Sequence, residues 1–234
     1  MSEAKRLDRF LSECFEISRS VSGKMIRSGQ AAVNGVTVRD PAFKTVTGDS
    51  VEFMGQCVQV YDKLYYMLNK PEGCVCANDD SHNPVVFVHM RDIPGINSCH
   101  CVGRLDLDTT GLLLITNDGQ WSHRISSPKK HLGKTYRVML ADPVNDDMIS
   151  KLRTGILLTG EKKPTSPADV QVKGDHEIDL VIYEGRYHQV KRMIQACGNL
   201  VVALHRTAVG PLVLDPSLET GQYRPLSAEE IGLF

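Results

Sequence analysis

Two aspartates, Asp106 and Asp108, stand in the polar run GRLDLDTTG between the apolar stretches HCV and LLLIT. Polar side chains wedged between two apolar strands are costly unless they form a turn or a site, so chemistry is looked for here first. D-x-D-x-T is the arrangement in which a phosphatase aspartate attacks phosphorus. However, Gly103-Arg104 interrupts the strand that should lead into it, and no clear α/β alternation follows. The same residues imitate the start of a calcium loop, with Asp106, Asp108, Thr110 and Gly111 at alternating positions. Asn117 stands at the twelfth position, where a bidentate glutamate is needed, and no helix precedes the loop. A turn capped by aspartates is the bland reading of the run.

A second polar segment, EGRYHQVKRMIQACGN, covers residues 184 to 199. Read as a helix, it places Val190, Met193, Ile194 and Cys197 on one apolar stripe and His188, Lys191, Arg192 and Gln195 on the other side. Gly198 suits the position just past its end, and Arg186 precedes it. Such a helix buries one face and presents two cations and an imidazole from the other. A solvated basic face is the ordinary outcome, whereas cations beside a buried carboxylate would mark an active site. In a third segment, KTYRV, strand spacing puts Lys134, Tyr136 and Val138 on one face.

These segments need elements to hold them. LYYMLNKP, HCVGRL, LLLIT, KTYRVML and EIDLVIYE read as strands, and the helical patterns fall between them too irregularly for a doubly wound parallel sheet. The expected fold class is α+β, with a mostly antiparallel or mixed sheet flanked by helices. Upstream, KRLDRFLSECF carries Leu7, Phe10, Leu11 and Cys14 at helical spacing, and Ser18 caps a second helix closed by Gly29. Asn34-Gly35 between β-branched residues signals a hairpin, and Gly48-Asp49 a turn before the strand Ser50–Phe53. Two domains are therefore expected, residues 1–61 and 62–234.

Seven cysteines without a secretory signal argue against a disulfide framework. Cys74/Cys76 and Cys99/Cys101 could offer four thiolates to zinc, but C-x-C in Val-rich strands more simply packs both thiols inward. No metal is expected. The opening MSEAKRLDRF lacks the apolar core of a signal peptide and no run is long enough to span a bilayer, so the expected location is cytoplasmic, with no membrane partner. A net charge of −1 hides a segregated distribution. From Gly119 to Ala141 there is no acid, while Arg124, Lys129, Lys130, Lys134 and Arg137 are basic. Asp142 to Glu184 holds nine acids against five bases. Segregation of this kind bears on polyanion binding where the total does not.

Residues 5 to 60 resemble the S4 RNA-binding domain, through Arg6-Leu7-Asp8 and Val33-Asn34-Gly35. GRLD at 103–106, KTY at 134–136 and EGRYHQVKRM at 184–193, in that order and spacing, resemble the motifs of pseudouridine synthases. DTTGL, NDGQWSHRI and YRPLSAEEI, with Tyr187, His188 and Lys191 in the helix, make the chain similar to the RsuA-type branch, which acts on small-subunit (16S) ribosomal RNA. The resemblance implies isomerisation of a uridine, of the uridine-516 type, to pseudouridine. It implies Asp106 as catalytic carboxylate, Tyr136 stacked on the target base, and Lys191 as the cation that keeps the carboxylate ionised. The family often has arginine at that last position.

It further implies contacts to RNA from Arg104, Arg186, His188, Gln189, Arg192, Arg124 and Lys134, and from Arg6, Arg19, Lys24 and Arg27 of the S4-like module. The expected partner is small-subunit rRNA, free or in a partly assembled particle, bound by a monomer. Moving a glycosidic bond from nitrogen to carbon oxidises nothing and imports no group, so no cofactor is expected. A carboxylate is useful at an anomeric carbon that passes through an oxocarbenium-like state. Water exclusion would raise its pKa, and a neighbouring cation would oppose that rise. Flipping the base out of its stack takes roughly a few kcal/mol, which phosphate contacts must offset.

Overall fold

The computed structural model describes residues 4–15, 17–127 and 130–234; Lys129 of the basic stretch lies outside them. The chain forms two compact units, one running to Leu64 and including Asp92–Ser98, the other made of Tyr65–Arg91 and Cys99–Phe234. The first unit is thus discontinuous in sequence, which a single cut after residue 61 does not describe. Among the described residues no helix is long and apolar enough to cross a membrane.

In the first unit, β1 (Lys5–Arg6) leads into α1 (Leu7–Cys14) and α2 (Arg19–Arg27), and β2 (Ala31–Val33), β3 (Val36–Thr37), β4 (Lys44–Thr45), β5 (Ser50–Phe53) and β6 (Gln56–Gln59) follow. β3-β2-β5-β6 form one antiparallel sheet, and β1 pairs with β4. Leu7, Phe10, Leu11 and Ile26 from the helices meet Ala31, Val33, Val51 and Phe53 from the sheet in one core. Cys14, which helical spacing put on the same stripe, is exposed at the last position of α1. The Ser18 hydroxyl accepts from the Val21 amide, as an N-cap should. Asn34 and Gly35 both adopt positive φ, 51° and 78°, which the tight hairpin turn demands.

The second unit contains β7 (Tyr65–Lys70), β8 (His100–Val102), β9 (Thr109–Thr116), α3 (Gly119–Ser126), β10 (Lys134–Leu140), α4 (Asp146–Thr154), β11 (Asp169–Gly174), β12 (Glu177–Ile182), α5 (Gln189–Ala196), β13 (Val201–Val209), β14 (Leu212–Val213), β15 (Tyr223–Pro225) and α6 (Ala228–Ile231). The sheet runs β11-β12-β10-β13-β9-β7-β15, with β14 on β13 and β8 on β9. Only the β13–β9 pairing in it is parallel, so the fold is the expected α+β with a mostly antiparallel sheet. β9 is the most deeply buried strand, and Trp121 and Ile125 of α3 pack over Leu112 and Leu114. The parallel step brings β9 so close to β13 that a Cβ on Gly111 (φ +102°) would stand 2.3 Å from the Arg206 carbonyl. Only glycine fits there.

Three local expectations are corrected. HCVGRL is a strand only to Val102, because Gly103 (φ 74°) turns the chain and leaves GRLD as a loop. The helix expected to follow Arg186 starts only at Gln189, because His188 adopts a left-handed backbone (φ 46°) and ends the loop there. Of the two C-x-C pairs only Cys101 lies in a strand; Cys74 and Cys76 flank an isolated bridge between Val75 and Val85. Among the described residues no three His, Cys, Asp or Glu side chains gather as a metal site requires.

Asp8 is an acidic group in the first core, with its side chain only 9% exposed, and it is clasped by Arg6 at 2.8 Å and Arg19 at 3.0 Å. The Arg6 hydrogen bond first, then that of Arg19, hold its carboxyl down at about 2 against the effect of burial. A depressed carboxyl binds its proton more readily unfolded than folded. Its stabilisation is therefore complete above the ordinary aspartate value near ~4 and disappears as pH falls toward about 2. Asp8→Asn should weaken the first unit by about 1–3 kcal/mol at neutral pH and flatten that acid dependence. Hydrogen exchange of the α1 and α2 amides, corrected for intrinsic rates, reads both effects.

Candidate active site

The loop from Gly103 to Thr109 carries both aspartates, and its backbone is held from below by buried cations. Lys70, at the end of β7, is fully buried. Its ammonium donates to the carbonyls of Pro71 (3.0 Å), Asp106 (3.0 Å) and Thr109 (2.9 Å), with Leu107 at 3.5 Å. The Gly73 amide donates to the Leu107 carbonyl, and the Thr109 amide to that of Asp106. Arg206, on β13 and 3% exposed, donates from Nε to the Leu112 carbonyl at 2.8 Å and reaches the Arg104 carbonyl at 3.5 Å. Leu105, next to Asp106, gives its amide to Cys76 Sγ at 3.3 Å. The Cys101 thiol, and after it this amide and the charges of Lys70 and Arg206, bring the Cys76 thiol down to about 6 despite burial. Lys70 and Arg206 thus act on the Cys76 thiol in the same direction as its hydrogen bonds, both favouring its ionised form.

Asp106 itself projects outward, with its side chain one-third exposed, and not into the dry pocket expected of it. It faces the start of α5. Lys191 Nζ lies 3.7 Å from one carboxylate oxygen and His188 Nε2 3.6 Å from the other, the latter an ion pair when the imidazole is protonated. Both partners sit on the N-cap and first turn of the helix, where the helix dipole also favours an anion. Lys191 is shared. It donates to Asp108 at 2.5 Å, and this bond first, ahead of opposing burial, holds the Asp108 carboxyl below the usual range.

Tyr136 is buried on β10, directly opposite Leu180 of β12 and Arg206 of β13. Leu180 is thus an apolar neighbour of the tyrosine on one side, and the same Arg206 that grips the aspartate loop stands on the other.

The residues expected to meet RNA separate into free and committed groups. Arg104, Lys24 and Arg27 are exposed, and among the described residues their side chains have no hydrogen-bond or ion-pair partner. Arg124 donates to the Phe234 carbonyl. Lys134 is half-buried against the Leu132 carbonyl, and burial first, then Arg206, pushes its pKa down. Arg6 and Arg19 hold Asp8 while staying half-exposed.

Arg186, Arg192 and Gln189 have internal partners. The Arg186 guanidinium donates to the carbonyls of Lys163 and Pro164 and to Glu184. Arg192 binds Glu161, the Thr159 carbonyl and the Tyr187 carbonyl. Gln189 is 4% exposed, accepts from the Arg186 amide and donates to Glu184. Arg186 and Arg192 brace the loop ahead of α5 against residues 159–164, and Gln189 ties that loop to itself through Arg186 and Glu184.

Sequence reasoning missed Lys70, Arg206, Asp108 as the competitor for Lys191, and Cys76. Lys70-Pro71 closing an apolar strand was a usable signal, since a lysine continuing such a run needs an internal partner. Arg206 carried none, because its burial follows from the β9–β13 pairing.

Residues 64–196 match the RNA pseudouridylate synthase family and residues 5–51 the S4 domain. The chain is 48% identical over 227 residues to the ribosomal small subunit pseudouridine synthase A of Haemophilus influenzae, covering 97% of both chains. With the protein of the same name from Escherichia coli K12 it shares 47% over 227 residues, covering 97% of this chain and 98% of the other. A solved pseudouridylate synthase superposes with a TM-score of 0.73 at 48% identity, over 98% of this chain and 99% of that one.

Removing the Lys70 ammonium would leave the carbonyls of Pro71, Asp106 and Thr109 without their donor in a water-poor place. Lys70→Met should destabilise the second unit by about 2–4 kcal/mol, measured by denaturant unfolding. Unchanged stability would mean that the loop does not depend on the ammonium.

Proposed function

Because the chain belongs to the RNA pseudouridylate synthase family and carries an S4 domain, we propose that it isomerises one uridine of small-subunit ribosomal RNA, the uridine-516 type of position, with Asp106 as catalytic carboxylate. The observation that carries the reading is the convergence on Asp106 of Lys191 and His188, which are 85 and 82 residues away in sequence. We take residues 1–61 as the S4-like RNA-binding part and 62–234 as the catalytic part, in a monomer working in the cytoplasm.

The reaction breaks the N1–C1′ bond, turns the base, and joins C5 to C1′; the C5 proton leaves and N1 regains one. No electron is transferred and no group enters, so side chains suffice. The Asp106 carboxylate meets the sugar, whose anomeric carbon becomes electron-poor as N1 departs. Lys191 offers it opposite charge and, with His188, aims it while water is displaced by substrate. Tyr136, walled by Leu180, offers its ring to the flipped uracil, and the unpaired Arg104 at the loop's edge offers charge to the displaced nucleotide's phosphate. Lys24 and Arg27, side by side at the end of α2, supply free cations in the S4 unit.

Small-subunit rRNA transcript labelled with tritium at uridine C5 tests the reading. Wild type should release tritium in the presence of chelator, and Asp106→Asn should lose at least about 10³-fold of the rate. Lys191→Met should lose about 10–10²-fold, with RNA affinity nearly kept. Release from large-subunit transcript instead would move the substrate to the sister branch. Release only from a partly assembled particle would make that particle the substrate. Lys24→Ala with Arg27→Ala should weaken RNA binding and lower the slope of log K against log salt by about 1–2. A slope equal to wild type would remove these two from the interface.

A further inference from the structure

Tyr187 is 76% exposed, the most open large side chain in the molecule's described apolar and aromatic set, yet it is not loose. Its ring lies on the His188 imidazole with centroids 3.8 Å apart and planes 18° from parallel. Its carbonyl accepts from Arg192, whose guanidinium is also tied to Glu161 and the Thr159 carbonyl. Gln189 and Arg186 close the loop on either side. His188 is held at φ 46°, a left-handed backbone that a non-glycine residue adopts at a cost and that clusters at ligand sites. Its imidazole approaches Asp106 at 3.6 Å. Packing does not explain the arrangement, because an aromatic ring three-quarters in water contributes little to a core.

We propose that the Tyr187–His188 stack is a shelf for a second nucleobase, one adjacent to the flipped uridine, which lies on the open face of Tyr187. The inference rests on the RNA reading above. One face of the tyrosine is covered by His188, so its exposure leaves the other face for a planar partner. The imidazole that covers it touches the catalytic carboxylate, so the shelf stands one ring away from the reacting sugar. A flipped nucleotide uncovers its neighbours in the strand, and an uncovered base stacks on any aromatic face offered to it. Stacking alone suits this place. The nearest guanidiniums, Arg186 and Arg192, are committed to internal partners, which leaves a phosphate little to bind there.

Two readouts test the shelf in the full chain, with small-subunit transcript as the probe. In the tritium assay, Tyr187→Ala should raise KM by about tenfold and leave kcat within about threefold, with an unchanged salt slope, since no phosphate contact is lost. Tyr187→Phe should behave as wild type. Tyr187→Trp gives a direct signal: the native Trp121 is fully buried, so an indole at this position reports on its own contacts, and transcript binding should quench it strongly. A fall in kcat at constant KM would overturn the shelf and make Tyr187 a positioning residue for His188. Equal KM in wild type and Tyr187→Ala, or an unquenched indole on bound RNA, would overturn it outright. If wild type released no tritium from either rRNA, the proposed function would fail instead, while quenching would still report the stack.

Discussion

The site depends on a buried ammonium. Lys70 has no carboxylate beside it and satisfies its charge with backbone carbonyls, three of them at hydrogen-bond distance and two of those from the loop that presents Asp106. A carbonyl cannot move away without leaving a charge uncompensated in a dry interior, so the loop has one low-energy path. Arg206 repeats the device from the neighbouring strand, donating from Nε to the Leu112 carbonyl and reaching that of Arg104. Fixing the backbone leaves the Asp106 side chain free to face solvent and substrate. A third of it is exposed, and Lys191 and His188 face its two oxygens.

This construction accounts for the mixed sheet. Arg206 reaches the loop because β13 runs parallel to β9, and that pairing is close enough to require Gly111. Lys70 reaches it from the other side because β7 pairs antiparallel with β9, opposite Gly111. Tyr136 on β10 is then placed across from Arg206 by strand register alone. One central strand therefore sets the positions of the loop, both anchoring cations and the tyrosine, and α5 is the element that must bring Lys191 and His188 from a distance.

How legible this was in the sequence depended on whether a signal was local. The Ser18 cap, the Asn34-Gly35 hairpin, the apolar face of α5 and the strands around KTYRV each follow from neighbours in the chain, and each stands where expected. Helix starts and strand ends were less legible. Gly103 and His188 take positive φ, and whether they do so is settled by what the loop must reach. The largest gap concerned charge. A sequence shows that Arg186 and Arg192 are cations but not that Glu161, Glu184 and four carbonyls consume them. Basic clusters read from sequence overstate the charge available to RNA by whatever the fold spends internally.

The same consideration bears on the lysine at position 191. Two carboxylates, Asp106 and Asp108, compete for the cation at position 191, and the nearer one holds it at 2.5 Å while the other waits at 3.7 Å. A guanidinium would commit its planar fork to one of them, whereas an ammonium is a point charge with three rotatable donors that can serve both at unequal distances. Asp108 is 59% exposed at the side chain, so solvent already screens its share, and the Lys191 field is least screened on the side of Asp106 as water is excluded there. Lysine thus keeps a second anion tolerable next to the first. The polar run that first drew attention as two aspartates is a pair of carboxylates sharing one ammonium at unequal distances.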